Sequence, residues 1–331
     1  MPIISEHIAY RDPDFYSAFT SMVCSRSGKL IIVFRRAPRR KPYSSHHDSQ
    51  STAALIESND GGISWSAPRV YWLQDGNVGI QDPSITELQN GDLISNAFKW
   101  QIVKEEPFNH TVLGTYTTRS KDMGKTWQPD KIVVADFPNE FIATSEPVIE
   151  LSGDNLLLPV YDKRGCFCLR SRDNGATWGE PVRIGDDPLG NVWFCEPSLC
   201  LTGSGKIIAM LRLSGNYLYQ SESLDGGLSW SVPAKTVMWG YPAHLLRLRD
   251  NRILCSYGYR RIPFGVRACI SEDEGKTWNI RQELVIRNDG QNEDLGYPAS
   301  AELRDGTICT SYYFNDSDDG IRYIGISKYT I

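Results

Sequence analysis

The chain has 331 residues and a formal net charge of −5 at pH 7, from 35 basic and 40 acidic residues. This balance excludes a nucleic-acid binder that depends on a strongly basic surface, and equally a disordered acidic chain. The sequence holds 9 Trp, 16 Tyr and 11 Phe beside 28 Gly and 18 Pro. Because aromatic residues favour pleated strands while Gly and Pro favour turns, this composition predicts many short strands.

Neither a membrane span nor a secretion signal is visible in the sequence. No apolar run approaches the roughly 18–20 residues that a helix needs to cross a bilayer. The segment from Met1 to His7 has neither a basic stretch nor an apolar one. We therefore expect a cytoplasmic protein that does not bind membranes, with its eight cysteines reduced and mostly buried.

The first predicted unit begins at Phe19-Thr20-Ser21-Met22 and continues through a turn at Gly28 into a second strand. Five later stretches open in the same way but carry a proline, and each leads through a Leu-rich strand and a turn into a second strand. These stretches are Asp82-Pro83-Ser84, Glu146-Pro147-Val148, Glu196-Pro197-Ser198, Tyr241-Pro242-Ala243 and Tyr297-Pro298-Ala299.

A second repeat lies out of phase with the first and has the pattern Ser-x-Asp-x-Gly-x-(Ser/Thr)-Trp. Its five copies are Ser58 to Trp65, Ser120 to Trp127, Ser171 to Trp178, Ser223 to Trp230, and Ser271 to Trp278. The Asp-x-Gly element is typical of a tight turn between strands, and the Trp is expected to pack back across the hairpin. A period near 50 residues predicts a propeller or a solenoid.

Six units of about 55 residues each account for the whole chain. We predict an all-β fold, a six-bladed β-propeller with four strands in each blade. The last unit lacks the Asp motif, so we expect the strand from Arg322 to Ile331 to close the ring together with the N-terminal segment. No Pro/Ser-rich linker interrupts the series, and we predict one domain over residues 1–331.

The residue before each proline marks the predicted functional surface. The innermost strands of a propeller line its central channel, and ligands bind at the mouth of such a channel. We expect five ionisable side chains, each just before its strand, to face one axial cavity: Asp82, Glu146, Glu196, Tyr241 and Tyr297. A structural interpretation stays open, in which the proline fixes the strand entry and the preceding residue satisfies backbone donors.

Basic residues lie where the strands return from this predicted ring. The candidates for binding a ligand are Arg36 in the first blade, Arg212 in the fourth, and Arg260 and Arg267 in the fifth. An Arg side chain suits bidentate binding of a planar carboxylate. Arginines that converge with tyrosines and carboxylates predict an anionic sugar as the ligand.

The five Ser-x-Asp-x-Gly-x-(Ser/Thr)-Trp motifs resemble the Asp-box of the sialidases (neuraminidases), and the intervening strands match as well. Sialidases have a Glu in the fourth blade followed by an Arg that binds the substrate carboxylate, and Glu196 and Arg212 resemble this pair. The resemblance implies an exo-glycosidase that removes a terminal acidic sugar with retention, with Tyr297 as nucleophile and Glu196 as its general base. It also implies an acid/base residue before the first Asp-box, for which Asp48 is the candidate.

Two positions depart from the sialidase pattern. Sialidases open the first blade with an Arg, which a Glu at the end of the last blade's second strand holds in place. This chain has Phe19 and the stretch Tyr312-Tyr313-Phe314 there instead. The sequence leaves open which arginine replaces the missing one, with Arg35 and Arg36 as the candidates, and it leaves the identity of the sugar open.

Two other functions stay open from the sequence. Some propeller-fold polysaccharide lyases resemble this arrangement in using His, Tyr and Arg on a uronate, and His46, His47 and His244 are candidates for such proton transfer. A non-catalytic propeller that binds glycans would keep the Asp-boxes but lose the axial ionisable residues. Loop and strand histidines are also common without any catalytic role.

None of these functions requires a metal or an organic cofactor. The pair Cys166 and Cys168 has no second Cys/His pair at the spacing of a zinc site. We expect an acidic glycan as the partner, with no nucleic acid and no membrane, and the sequence does not predict the oligomeric state.

Overall fold

A computed structural model describes residues 3–40, 48–102, 110–133, 142–185, 192–317 and 320–331. These residues form six antiparallel sheets of four strands each, with one short 3-10 helix at Ile280–Gln282. The inner strands contact one another around an axis, as where the first strand of blade 1 meets those of blades 2 and 6. The prediction of an all-β, six-bladed propeller is confirmed.

Each blade runs in chain order from its inner strand to its outer strand. In blade 1 these are β2 (Phe15–Cys24), β3 (Leu30–Pro38), β4 (Thr52–Ser58) and β5 (Arg69–Trp72). In blade 2 they are β6 (Val78–Glu87), β7 (Leu93–Ile102), β8 (His110–Ser120) and β9 (Lys131–Ile132). In blade 3 they are β10 (Ile149–Ser152), β11 (Asn155–Asp162), β12 (Gly165–Ser171) and β13 (Gly179–Arg183).

The second half of the chain repeats this order. Blade 4 consists of β14 (Cys195–Leu201), β15 (Ile207–Arg212), β16 (Tyr217–Ser223) and β17 (Ala234–Trp239). Blade 5 consists of β18 (Ala243–Arg247), β19 (Ile253–Tyr259), β20 (Phe264–Ser271) and β21 (Leu284–Gly290). Blade 6 takes β22 (Gly296–Glu302), β23 (Ile308–Phe314) and β24 (Tyr323–Tyr329) from the end of the chain, and β1 (Ile3–Tyr10) from its start.

The ring closes within blade 6. Strand β1 pairs antiparallel with β24 as the outermost strand of that blade, with Glu6 opposite Ser327. Because the two chain ends share one sheet, an opening of the ring requires this pairing to break. The predicted closure by the segment from Arg322 to Ile331 is confirmed.

The hydrophobic core is divided among the interfaces between neighbouring blades. Most strands near the axis are covered on both faces, so they read as continuous apolar runs, such as Leu30 to Phe34 in β3. Each interface has its own buried cluster, represented by Leu55 with Ile85, Ile94 with Leu156, Leu157 with Leu199, Met210 with Leu245, Leu254 with Tyr312, and Phe34 with Ile326.

The Asp-box turns are built by their own side chains. In the fourth copy, the Ser223 hydroxyl donates to Asp225 at 2.8 Å and accepts from the Gly227 backbone N–H at 2.7 Å. Asp225 in turn accepts from the backbone and hydroxyl of Ser229. The Trp that ends the motif packs against an interblade cluster, as Trp230 does between blades 3 and 4. The predicted turn device is therefore present.

The cysteines fit the sequence-based expectation. All eight cysteines are free, and only Cys24 is not fully buried. Within the described residues, no helix is long and apolar enough to cross a membrane.

Candidate active site

Four of the six inner strands carry an extra residue at equivalent positions. The pairing with the second strand shifts by one residue in β2, β6, β14 and β22. The residues at these bulges have a positive φ, which is 59° at Phe19, 49° at Asp82 and 47° at both Glu196 and Tyr297. Such a φ in a residue other than glycine costs of order 1–3 kcal/mol, and it occurs mainly where the surrounding structure enforces it. The bulge takes these side chains out of the usual alternation of the strand.

Contacts between different blades show that these side chains converge. The Tyr297 hydroxyl from blade 6 donates to Glu196 Oε1 from blade 4 at 2.7 Å. The Phe19 ring from blade 1 meets the Tyr297 ring edge-on, with 4.7 Å between centroids. Glu146 and Tyr241 precede their strands, as predicted, and both adjoin the same cluster. The structure thus brings the five predicted residues together and adds Phe19 as the sixth member.

Arg212 links the acidic and phenolic groups of this cluster. Its Nη1 donates to Glu196 Oε2 at 2.6 Å and lies 3.4 Å from the Tyr297 hydroxyl. Burial raises the pKa of Tyr297 well above its usual value, and the charge of Glu196 raises it further. The phenol is therefore neutral, with a carboxylate in position to take its proton.

A second guanidinium reaches the same place from blade 5. Arg260 lies 5.3 Å from the centroid of the Tyr241 ring, and Arg212 lies 4.7 Å from it. Arg260 donates to the Leu295 carbonyl at 3.0 Å and to the Tyr313 hydroxyl at 3.2 Å. Among the described residues, neither Nη2 of Arg212 nor Nη1 of Arg260 has a hydrogen-bond partner. Both guanidiniums therefore keep donors for an anionic ligand.

The second strands contribute the residue that pairs just before each bulge. In blade 1 this residue is Arg35, opposite Ala18, while Arg212 and Tyr313 hold the same position in blades 4 and 6. Arg35 is buried, and its guanidinium lies 5.9 Å from the Phe19 ring centroid. Burial lowers its pKa to about 10, so it stays charged at neutral pH.

The structure does not bring Arg36 into this cluster. Successive residues of a strand face opposite sides, so Arg36 points away from Arg35. It donates to the Tyr10 hydroxyl at 2.9 Å and to Asp12 at 3.1 Å, beside the end of the outermost strand of blade 6. The sequence could not choose between Arg35 and Arg36, because β3 is covered by apolar clusters on both faces.

Aromatic rings fill the two positions that differ from the sialidase pattern. The rings of Phe19 and Tyr313 lie edge-on, with 5.4 Å between centroids. The Tyr313 hydroxyl donates to Asp294 at 3.1 Å, and Asp294 also accepts from Tyr16 at 2.8 Å and from Arg322 at 2.9 Å. An aromatic pair above a buried ionic network thus stands where the sequence lacks the Arg and the Glu.

The opposite side of the cluster is acidic. Asp82 Oδ2 accepts from the Ser145 hydroxyl at 2.7 Å, and the Tyr161 hydroxyl lies 3.2 Å from the same Ser145 oxygen. Burial, together with the charge of Glu196, raises the pKa of Asp82 to about 7. Burial also raises the pKa of Glu146 well above its usual value. Sequence analysis missed Ser145 and Tyr161, although Tyr161 lies near the end of a second strand, as Arg212 does.

Of the remaining predicted residues, Arg267 lies apart from this cluster, whereas the charge of Asp48 acts on Arg35 at its edge. Arg267 donates to the Arg287 carbonyl at 2.6 Å and lies 3.9 Å from Glu283, toward the outer part of blade 5. Asp48 is buried and paired with Arg40. His47 lies outside the described residues.

His244 lies on the inner strand of blade 5. Its Nδ1 accepts from the Ser300 backbone N–H at 3.4 Å, and burial lowers its pKa to about 4. The imidazole is therefore neutral at neutral pH. In the described part of the chain, no group of three or more His, Cys, Asp or Glu side chains is arranged to hold a metal ion.

The model of the BNR repeat-like domain matches residues 98–309 of this chain. The chain belongs to the BNR repeat-like domain family. The sequence-based prediction of a sialidase-like Asp-box propeller is thereby confirmed at the level of family and fold. No curated protein matches the chain.

Several solved structures share the fold of this chain. A protein of unknown function from Dyadobacter fermentans is 28% identical, with a TM-score of 0.90 over 99% of this chain and 98% of that one. The NanB sialidase from Streptococcus pneumoniae is 14% identical, with a TM-score of 0.76 over 100% of this chain and 71% of its own. The α-L-arabinanase from Penicillium chrysogenum, solved with arabinobiose, is 14% identical, with a TM-score of 0.71 over 100% and 99%. At 14% identity, the likeness to the last two concerns the fold alone.

Proposed function

We propose that this protein is a retaining glycoside hydrolase that removes a terminal acidic sugar from a glycan. The observation that carries the proposal is the hydrogen bond of 2.7 Å from Tyr297 to Glu196, with Arg212 in contact with both groups. A nucleophile needs a base within hydrogen-bond reach and a third group that orients the base. Arg212 is that third group.

A phenol suits an anionic substrate better than a carboxylate does. A carboxylate nucleophile would be repelled by the carboxylate of an acidic sugar at close range, whereas a neutral tyrosine is not. Tyrosine nucleophiles are a known exception among retaining glycosidases. The raised pKa of Tyr297 keeps it neutral until Glu196 takes its proton as the bond to the sugar forms.

The open donors of Arg212 and Arg260 support an anionic ligand. Both guanidiniums lie over the Tyr241 ring, so two positive charges meet in a largely buried site. A ligand carboxylate between them would accept hydrogen bonds from both and relieve their repulsion. Phe19 and Tyr313 stand where the sialidase pattern has an Arg and a Glu. The proposed binding of the ligand carboxylate therefore depends on two arginines, Arg212 and Arg260.

The proposal is tested with a panel of 4-methylumbelliferyl glycosides. The panel contains sialosides, glucuronides and, as the neutral comparison, α-L-arabinofuranosides. We expect the wild type to release the fluorophore from an acidic glycoside, Tyr297→Phe to lose this activity, and Glu196→Gln to lose about 10²–10⁴-fold in kcat. Tyr312→Phe is the matched control, because this buried phenol bonds to Ser327 outside the cluster.

Three outcomes would contradict the proposal. Cleavage at the wild-type rate by Tyr297→Phe would remove the nucleophile. An unsaturated product that absorbs in the ultraviolet, formed from uronate oligosaccharides, would indicate a lyase. Glycan binding without turnover across the panel would indicate a binding propeller.

A further inference from the structure

The two oxygens of the Asp82 carboxyl group have different surroundings. Oδ2 accepts the Ser145 hydroxyl at 2.7 Å, whereas the buried Oδ1 has no hydrogen-bond partner among the described residues. A buried polar atom without a partner costs free energy, so such an atom at a converging site indicates a place for a ligand group. Because Oδ2 already accepts the Ser145 hydroxyl, Oδ1 is the oxygen that can present a proton to a ligand.

Asp48, which the sequence favours as the acid/base, is held differently. Arg40 donates to Asp48 Oδ2 at 2.5 Å and to Oδ1 at 3.3 Å, and the Gln50 backbone N–H donates to Oδ1 at 2.8 Å. Both oxygens therefore serve as acceptors for protein donors. Unlike Asp82, Asp48 therefore has no carboxyl oxygen that lacks a protein donor.

We infer that Asp82, and not Asp48, gives the leaving group its proton, and that Ser145 and Tyr161 hold Asp82 in position for this step. This inference rests on the proposed function. Asp82, Glu196 and Tyr297 are 3%, 6% and 7% exposed. The charges of Asp82 and Glu196 both act on the Tyr297 phenol, so a ligand that reaches the phenol comes close to Asp82 as well.

Ser145 and Tyr161 lead from Asp82 to an open part of the surface. Because Ser145 donates its proton to Asp82, the Tyr161 hydroxyl at 3.2 Å is the donor to Ser145. Tyr161 lines a cavity of about 350 Å³, whose other walls are Val112, Ala143, Asp162, Lys163 and Trp193. The hydroxyl pair fixes the orientation of the carboxyl group.

The surroundings of Asp82 favour its protonated form. Burial is the main cause of its raised pKa, and the charge of Glu196 adds to it. The hydrogen bond from Ser145 and the charges of Arg35 and Arg212 lower the pKa by less. The ionisable groups that interact with Asp82 are Glu196, Arg35, Arg212, Glu146, Tyr161 and Tyr297. A carboxyl group with a pKa of about 7 can donate and then accept a proton near neutral pH.

The proton balance of the reaction closes with these groups. In the first step the Tyr297 oxygen bonds to the anomeric carbon, and its proton passes to Glu196. The bond to the leaving oxygen breaks with its electron pair on that oxygen, which receives the proton of Asp82 Oδ1. In the second step ionised Asp82 takes a proton from water as the water oxygen attacks the anomeric carbon. The pair of the broken Tyr297–carbon bond returns to the phenol oxygen, which regains its proton from Glu196.

The test compares two leaving groups on the same sugar. The substrates are the 4-methylumbelliferyl glycoside that the wild type cleaves and the methyl glycoside of that sugar, which needs an acid far more. For Asp82→Asn we expect a loss of about 10²–10⁴-fold on the methyl glycoside and a much smaller loss in the bond-breaking step on the aryl glycoside, measured as the burst of fluorophore. Asp48→Asn is the matched variant, and we expect equal effects of it on both substrates.

The opposite results would overturn the inference. An equal loss for Asp82→Asn on both substrates would make Asp82 a ligand-binding group only. A loss confined to the methyl glycoside in Asp48→Asn would make Asp48 the acid. The carboxyl ¹³C shift of Asp82 in the free protein gives a readout besides activity, and an ionised Asp82 at pH 6 would also overturn the inference. A protonated Asp82 in a protein that cleaves no glycoside would instead overturn the proposed function, and the acid role with it.

Ser145→Ala tests the positioning role through the pH profile of kcat/KM. The hydrogen bond from Ser145 lowers the pKa of Asp82, so its removal raises that pKa. Activity that needs the protonated acid is lost as pH rises through this pKa. In Ser145→Ala we expect this alkaline fall of kcat/KM to occur at a higher pH. Ser84→Ala is the control, because Ser84 donates to the Ser145 carbonyl at 3.1 Å and not to Asp82. If kcat/KM of Ser145→Ala fell at the same pH as that of the wild type, Ser145 would not position Asp82.

Discussion

Asp82 is a buried carboxyl group whose direct hydrogen bond within the described residues comes from a neutral hydroxyl. Its pKa of about 7 lies above the ordinary 3.8, because burial disfavours the charged form. The folded state therefore keeps a proton that the unfolded chain has already released between about pH 4 and pH 7. Stability that depends on this proton is present below pH 4 and is lost as pH rises through 7.

We expect Asp82→Asn to stabilise the protein at pH 8 and to change its stability little at pH 4. The gain at pH 8 is at most about 4 kcal/mol, since each pKa unit corresponds to about 1.4 kcal/mol. Urea unfolding of the two proteins at both pH values measures the difference. A gain of the same size at both pH values would show that the ionisation of Asp82 does not limit stability.

The site also shows what a sequence reveals about single residues. The X-Pro pairs marked Asp82, Glu196 and Tyr297, because the repeat gave them equivalent positions. The pattern could not choose Arg35 over Arg36, since both faces of β3 pack against apolar clusters and its alternation gives no preference. Arg267 lies on a third strand, where the arginine alone gave no sign of its distance from the axis.

At the scale of the element, the Asp-box turn depends on its serine more than on its exposed groups. The Ser223 hydroxyl satisfies the buried Gly227 N–H, whereas the Ser229 hydroxyl donates to Asp225 at an exposed site. A buried donor that loses its partner costs about 1–3 kcal/mol, while an exposed one regains water. The sequence predicted these turns well, because the hydrogen bonds of the Ser and Asp side chains that build them are local.

We therefore expect Ser223→Ala to lower the free energy of unfolding by about 1–3 kcal/mol, and Ser229→Ala to lower it by clearly less. Thermal and urea unfolding of both variants provides the comparison. Equal losses would mean that the exposed hydrogen bonds to Asp225 matter as much as the buried one.

At the scale of the whole molecule, the repeat period of the sequence predicted the number of blades. The need to leave no exposed strand edge predicted the closure of the ring in the last blade. An apolar cluster at every blade interface and the pairing of β1 with β24 follow from units that cannot bury their apolar faces alone. The contacts across the axis could not be derived in this way. The hydrogen bond from Tyr297 to Glu196 joins residues 101 positions apart, and its length depends on how all six blades pack.

The bulges at Phe19, Asp82, Glu196 and Tyr297 also bear on how such a molecule can diverge. Asp82 and Glu196 lie at bulges outside the apolar interblade clusters, so their exchange leaves the packing of the neighbouring blades largely intact, whereas Phe19 and Tyr297 also pack in the cluster between blades 6 and 1. At the bulges of Asp82 and Glu196 the side chain that faces the axis can therefore change while the propeller fold is kept. Relatives with few residues in common can keep one architecture and still act on different ligands.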